Sequence, residues 1–251
     1  MQADGKLHFS TLKNIGSSPK HYRYYADNER EDSDSFLIGR ATHALVLQNI
    51  EPKIFHAKRV GNAYKEAVEL NGGEDLLNGT QGELVKRMAD AVNRSRLAQE
   101  ILSRCPYRET ELTWERGGFQ CAGRDDAHGH DTLVELKTDK SVHPYMFKRT
   151  ANWRRYPEQM AWYDVGLGTE YVHGETKWRD CYIIAVENNG PVFPVSVFRV
   201  TPIRLVQAHE RVEQWLEKLR QCERQRYWPG WDESVEDIDW EIEVNEGDDD
   251  E

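Results

Sequence analysis

Residues 121–138, Cys-Ala-Gly-Arg-Asp-Asp-Ala-His-Gly-His-Asp-Thr-Leu-Val-Glu-Leu-Lys-Thr, decide how this chain is read. A strand ending in Asp126 is followed by a polar turn, Ala127–Asp131, and then by an apolar strand, Thr132–Lys137. Residues two apart in a strand share a face, so Glu135 and Lys137 project together while Leu136 points away. A neighbouring strand can bring Asp126 beside them. Two carboxylates on rigid strands suit Mg²⁺, a hard cation that keeps several waters and also takes phosphate oxygens. Lys137 beside such a cluster can orient a water or neutralise charge on phosphoryl oxygens. Burying these charges among Leu133, Val134 and Leu136 is costly unless they are paired or metal-bound.

Upstream of this stretch, residues 108–116 alternate in polarity and meet Gly117–Gly118, a hairpin signal, with 119–126 as the return strand. Before them the pattern is helical. Ser10 is read as the cap of a short helix that ends at the break Gly16–Pro19. Leu37, Ala41, Ala44 and Leu45 mark a helix over 35–48, and another spans 62–70. A long helix is expected from Thr80, with Glu83 completing a capping box, to about Arg104. Downstream, helices are expected at 142–151 and 156–166, strands at 178–187 and 192–200, and an amphipathic helix over 202–226. That last helix should pack through Leu205, Val212, Trp215, Leu216 and Leu219, with its charges facing water. The order gives an α/β chain with a central mixed sheet flanked by helices and preceded by a helical N-terminal segment. We expect one domain over 1–231 and a flexible acidic tail over 232–251.

The charge balance first argues against nucleic acid, since the formal net charge is -11. Twelve carboxylates and no Lys or Arg fall within 232–251, however. Without them 33 basic residues face 32 acidic ones, so a local basic surface is allowed. The tail itself suits solubility. Lys148, Arg149, Arg154 and Arg155, interleaved with Phe147, Trp153 and Tyr156, form the best basic and aromatic cluster, able to grip phosphates and stack on an unpaired base. His128 and His130 read as a solvated loop, and Cys105, Cys121, Cys181 and Cys222, without a CxxC pair, as buried free thiols. No apolar run reaches membrane-span length and no signal-peptide pattern opens the chain, so a cytoplasmic protein is expected.

The motifs together resemble the PD-(D/E)XK nuclease superfamily. Gly123-Arg124-Asp125-Asp126 and Glu135-Leu136-Lys137-Thr138 match both halves of its core, although Ala122 stands where Lys is frequent and Asp125 where an apolar residue or proline is usual. Gln159 and Tyr163 are similar to the QxxxY helix motif of the RecB-like branch. Gly39-Arg40-Ala41-Thr42-His43 resembles its GxxxH helix. The opening Ser-Pro and aromatic segment also looks like that branch, and the resemblance is closest to RecE-type phage and prophage exonucleases over roughly residues 8–200.

The resemblance implies a PD-(D/E)XK fold in which Asp126, Glu135 and Lys137 are catalytic, supported by Gln159 and Tyr163. It implies a Mg²⁺ shell (Mn²⁺ as substitute) of His43, Asp126, Glu135 and the backbone carbonyl of Leu136, with Glu109 as a further acidic candidate. DNA contacts would come from Arg124, Lys148, Arg149, Arg154 and Arg155. It further implies 5′-to-3′ digestion of one strand at double-stranded DNA ends, a ring-shaped homo-oligomer (trimer or tetramer), and work beside a single-strand annealing protein in a bacterial host. The alternatives are a DNA-binding protein with a nuclease-like fold that does not cut, or an endonuclease or repair nuclease of the same superfamily.

Overall fold

A computed structural model describes residues 4–28, 33–170 and 177–231. A two-residue strand, β1 (Leu7–His8), leads into α1 (Phe9–Leu12), a 3-10 turn at Lys13–Gly16 and α2 (Pro19–Asp27). Four helices follow: α3 (Asp34–Gln48), α4 (Asn62–Leu70), α5 (Gly79–Arg94) and α6 (Arg96–Ser103). Then come β2 (Tyr107–Arg116), β3 (Phe119–His128), β4 (Thr132–Asp139), α7 (Pro144–Trp153), α8 (Tyr156–Gly166), β5 (Asp180–Glu187), β6 (Val195–Val200) and α9 (Pro202–Gln225). The acidic tail lies outside the described residues. Among those residues no helix is long and apolar enough to cross a membrane.

The hairpin of β2 and β3 forms as its glycines require. Gly117 and Gly118 both take positive φ, 59° and 81°, which the tight turn needs and a side chain resists. The sheet runs β1-β3-β4-β5-β6, with β2 on the other edge of β3. β4 and β5 pair in parallel over the whole of β4, and β5 and β6 antiparallel. Period-two alternation sorts the side chains. Leu133, Cys181, Ile183 and Ala185 join a core with residues of α8, α9 and the N-terminal segment. Val134, Leu136, Ile184 and Val186 join another with residues of α3, α5 and α6. Each such large apolar side chain contributes about 1.5–3 kcal/mol on leaving water.

Several local expectations are corrected. Ser10 is not a cap: Leu7 and His8 pair in parallel with Cys121 and Ala122, so the chain is extended through His8 and already helical at Ser10. Ser18 caps α2 instead, accepting from the His21 N–H, with Pro19 in the first turn. The capping box on α5 is Asn78 with Gln81, each side chain meeting the other's backbone N–H at 2.9 Å, and not Thr80 with Glu83. A bridge between Ile54 and Leu77 holds the chain extended up to Asn78 and sets that start. The long helix also divides at Ser95, whose ψ of 104° leaves the helical region and whose hydroxyl caps α6.

The remaining corrections concern buried charge. β3 runs on through His128, which meets Asp125 Oδ2 at 2.9 Å and stacks on Tyr107, so of this pair His130 alone is solvated. Asp125, the departure from the family pattern, is thereby a buried carboxylate with a partner. On α9 the five expected residues are buried, but Arg204 and Arg211 do not simply face water. They reach Oε1 of the fully buried Glu158 on α8, at 3.1 and 3.3 Å. All four cysteines are free and buried.

Candidate active site and metal centre

The site grows from an interruption in the sheet. β3 and β4 pair only at Ala127–Val134 and His128–Leu133, while β1 takes the same edge of β3 further back, at Cys121–Ala122. Between these contacts, Gly123–Asp126 have no paired strand on that edge among the described residues. The ladder donor of Leu136 is met by a side chain instead: its N–H donates to Asp126 Oδ2 at 2.7 Å. Glu135 and Lys137 share a face as their spacing demands, and Lys137 Nζ lies 2.5 Å from Glu135 Oε2 and 3.9 Å from Asp126 Oδ2. The Tyr156 ring faces that ammonium at 5.2 Å.

His43 reaches the cluster from α3, whose Gly39 passes close to Thr138 of β4. Its Nδ1 is 3.3 Å from Asp126 Oδ1 and 3.6 Å from Glu109 Oε1. Glu109 is cross-strand to Asp126, since Arg108 pairs with Ala127 and Thr110 with Asp125. Its φ of 49° is left-handed, a conformation costing a non-glycine residue about 1–3 kcal/mol. Arg124 Nε holds its other oxygen at 3.0 Å.

His43, Glu109 and Asp126 each offer one ligand atom, and these atoms all lie within 4.8 Å of one another. Glu109 is thus in the cluster, whereas Glu135 stands beside it, joined through Lys137 and Asp126. The donor set fits a divalent cation. Glu109 Oε1 and Glu135 Oε1 are both buried without a hydrogen-bond donor among the described residues, which carboxylate oxygens tolerate poorly unless a positive charge faces them.

The electrostatics follow from this crowding. Burial disfavours the Asp126 anion, but His43 and Lys137 outweigh it and hold the carboxyl below its ordinary range. Burial and the Asp126 charge push Glu135 up to about 8 against the pull of Lys137. Burial works against a charged His43, yet Asp126 and Glu109 raise it to about 9. Glu135 and Asp126 likewise hold the Lys137 ammonium above its usual value in spite of desolvation. Two carboxylates that would both ionise around a cation here share their site with a proton.

Gln159 and Tyr163, four apart on α8, join through an amide-to-hydroxyl bond of 3.2 Å. Tyr163 packs against β3: a Cβ at Gly123 would sit 2.5 Å from its Cε1, so the strand carries glycine there. Both residues line a cleft of about 480 Å³ together with His43, Glu109, Asp126 and Lys137. Arg124 adds a cation to the cleft wall, as do Arg40 and Lys53, which sequence reasoning did not single out. Arg40 had a signal, three residues before His43 on the same helix; Lys53, in a loop, had none. Lys148, Arg149, Arg154 and Arg155 are not among the lining residues but lie on α7 and its end. Phe147 and Tyr156 of that cluster turn into the core, leaving Trp153 exposed.

No curated protein compared with the chain matches it in sequence. By fold it is similar to a "Putative exonuclease" from Eubacterium rectale, with a TM-score of 0.65 at 12% identity over 96% of this chain and 91% of that one. A phage related exonuclease from Haemophilus somnus 129PT (TM-score 0.38, 15% identity, 88% and 96% covered) and an alkaline exonuclease from Laribacter hongkongensis (0.33, 12%, 88% and 92%) are too distant to carry weight. The model of one family matches residues 8–240, nearly the whole length over which the sheet and the cleft are built. The chain therefore belongs to the PDDEXK-like domain family of unknown function (DUF3799), and through it to the PD-(D/E)XK nuclease superfamily whose motifs meet in this cleft.

Proposed function

We propose that this protein is a Mg²⁺-dependent exodeoxyribonuclease that removes one strand from the ends of linear double-stranded DNA. The observation that carries it is the meeting of His43, Glu109 and Asp126 within 4.8 Å, beside a lysine 3.9 Å from Asp126. His43, Glu109 and Asp126 would hold the cation, with Glu135 and the Leu136 carbonyl completing its shell. When bound, Mg²⁺ or Mn²⁺ supplies Lewis acidity toward the phosphate and lowers the pKa of a bound water.

The protein's own groups do the rest. Lys137 keeps its proton, and its ammonium orients the water and meets charge on the phosphoryl oxygens. Arg124, Arg40 and Lys53 bring cations to the cleft wall, where a phosphate backbone would lie. Gln159 donates to the Tyr163 hydroxyl, and the Tyr163 ring supports β3 at Gly123, beside the strand positions of Arg124 and Asp126. Domain limits of 1–231, 5′-to-3′ polarity, a ring-shaped homo-oligomer, a single-strand annealing partner and work in the cytoplasm of a bacterial host complete the reading. The polarity, the oligomer and the annealing partner rest on the motif resemblance; the domain limits and the location rest on the charge and hydropathy pattern of the sequence.

The test is digestion of end-labelled linear duplex with and without Mg²⁺, alongside covalently closed circular DNA. Release of labelled nucleotide from the linear substrate alone, lost in Lys137→Ala and Asp126→Ala, is the expected outcome. Cutting of closed circles points to an endonuclease, and undiminished digestion by either variant removes the assignment.

A further inference from the structure

α7 presents an unusual face. Tyr145 and Trp153 are 62% and 78% exposed, with Met146 also exposed beside them. Tyr145, Arg149 and Trp153 follow at four-residue intervals, so they share one face of the helix. The two rings are about 12 Å apart along the axis. The Arg149 guanidinium lies over the Tyr145 ring at 5.8 Å and the Arg154 guanidinium over the Trp153 ring at 5.6 Å. Residues 140–157 hold five Lys or Arg and no Asp or Glu, within a chain of net charge -11. Lys148, Arg149, Arg154 and Arg155 form no ion pair with any described residue. Large aromatic surface left in water, next to cations without carboxylates, is the composition of a nucleic-acid surface rather than of a merely solvated helix.

From these observations we infer that the outer face of α7 binds single-stranded DNA, with Trp153 and Tyr145 as base-stacking platforms and Lys148, Arg149 and Arg154 as phosphate contacts. A single strand is favoured over duplex because bases within a duplex already cover each other's faces. An aromatic side chain can stack only on a base whose face is free. Position agrees. Trp153 is three residues before Tyr156, whose ring faces Lys137 at 5.2 Å, so no more than about 11 Å of chain separates Trp153 from a residue in contact with the candidate site. The inference rests on the proposed exonuclease reading for the origin of the strand: removal of one strand at the cleft leaves the other unpaired beside α7.

Fluorescence anisotropy of the full-length protein with labelled oligothymidylate and with a blunt hairpin duplex, both in EDTA, tests this without hydrolysis. Trp153→Ala and Tyr145→Ala should each weaken oligothymidylate binding by about 5-fold to 160-fold, the worth of one base–aromatic stack. Duplex binding should change less than 2-fold. Both side chains are exposed, so the variants should fold, as circular dichroism would verify. Equal losses on duplex and single strand would overturn the inference, as would no loss on either. A change of oligomeric state in the variants would also overturn it, by assigning the face to a second copy of the chain. Because no cutting is involved, selective loss of single-strand binding can be observed even in a protein that digests nothing, so the two readings fail separately.

Discussion

Asp126 Oδ2 accepts the backbone N–H of Leu136 at 2.7 Å, closing with a side chain the place where β3 and β4 stop pairing backbone to backbone. One carboxylate therefore both stitches the sheet and, through Oδ1, faces His43. Removing it should damage structure and site together, but unequally by substitution. Asp126→Asn can still accept from Leu136, so it should keep stability within about 1 kcal/mol and lose cation binding. Asp126→Ala should lose a further 1–3 kcal/mol or so, the cost of stranding a buried donor. Chemical denaturation and calorimetric Mn²⁺ titration of the two variants separate these effects.

Glu109 is the sharper test of the cluster, because it combines a place in the candidate cation cluster with left-handed backbone. Glu109→Ala and Glu109→Gly should both weaken metal binding. Glycine adopts that φ freely and alanine does not, so Glu109→Gly should be the more stable of the two by about 1 kcal/mol. Equal stabilities in a urea titration would remove the claim of strain.

Gly123 is closed to any side chain by Tyr163. Gly123→Ala must push the Tyr163 ring or β3 aside, at a cost of about 1–3 kcal/mol. Nuclease activity should fall further than stability does, since the displaced strand carries Arg124 and Asp126. The paired readout is melting temperature against digestion rate at a temperature where the variant remains folded.

Cation binding should depend on pH in a defined direction. His43, raised to about 9, must lose its proton to become a ligand, and Glu135, raised to about 8, is an anion only above that value. Apparent Mn²⁺ affinity should therefore rise as pH is increased from 6 toward 9, with protons released on binding. His43→Ala should bind more weakly and show a flatter pH profile. Isothermal titration in two buffers of different ionisation enthalpy counts the protons.

His209, which does not line the cleft, sets a different dependence. Burial and the neighbouring Arg116 lower it to about 3, so it is neutral in the folded chain. The unfolded chain binds its proton at about 6.5, so stability from this group is complete above that pH and is lost as pH falls toward 3. His209→Gln, able to accept from Arg116, should flatten the decline in melting temperature between pH 6.5 and 5. An unchanged slope in thermal scans would show that other groups carry it.

Much of this protein was legible in the chain alone. Period-two alternation fixed the β2–β3 hairpin and the shared face of Glu135 and Lys137, and four-residue spacing fixed Gln159 beside Tyr163, because both are local consequences of backbone geometry. Caps were less legible. Asn78–Gln81 and Thr80–Glu83 offer the same pattern two residues apart, and the Ile54–Leu77 bridge decides between them. The relation of Asp126 to Leu136, the entry of Glu109 into the cluster and the pairing of Glu158 with two arginines of α9 were beyond reach of spacing. They depend on where β3 and β4 part, on one left-handed residue and on how α8 meets α9. Such contacts join residues far apart in the chain or turn on a single backbone angle, and tertiary packing alone sets them. For Asp126, Glu135 and Lys137, the sequence by itself determined which residues share the sheet; the tertiary structure decided that Asp126 joins His43 and Glu109 while Glu135 stands beside Lys137, because that turns on where β3 and β4 part.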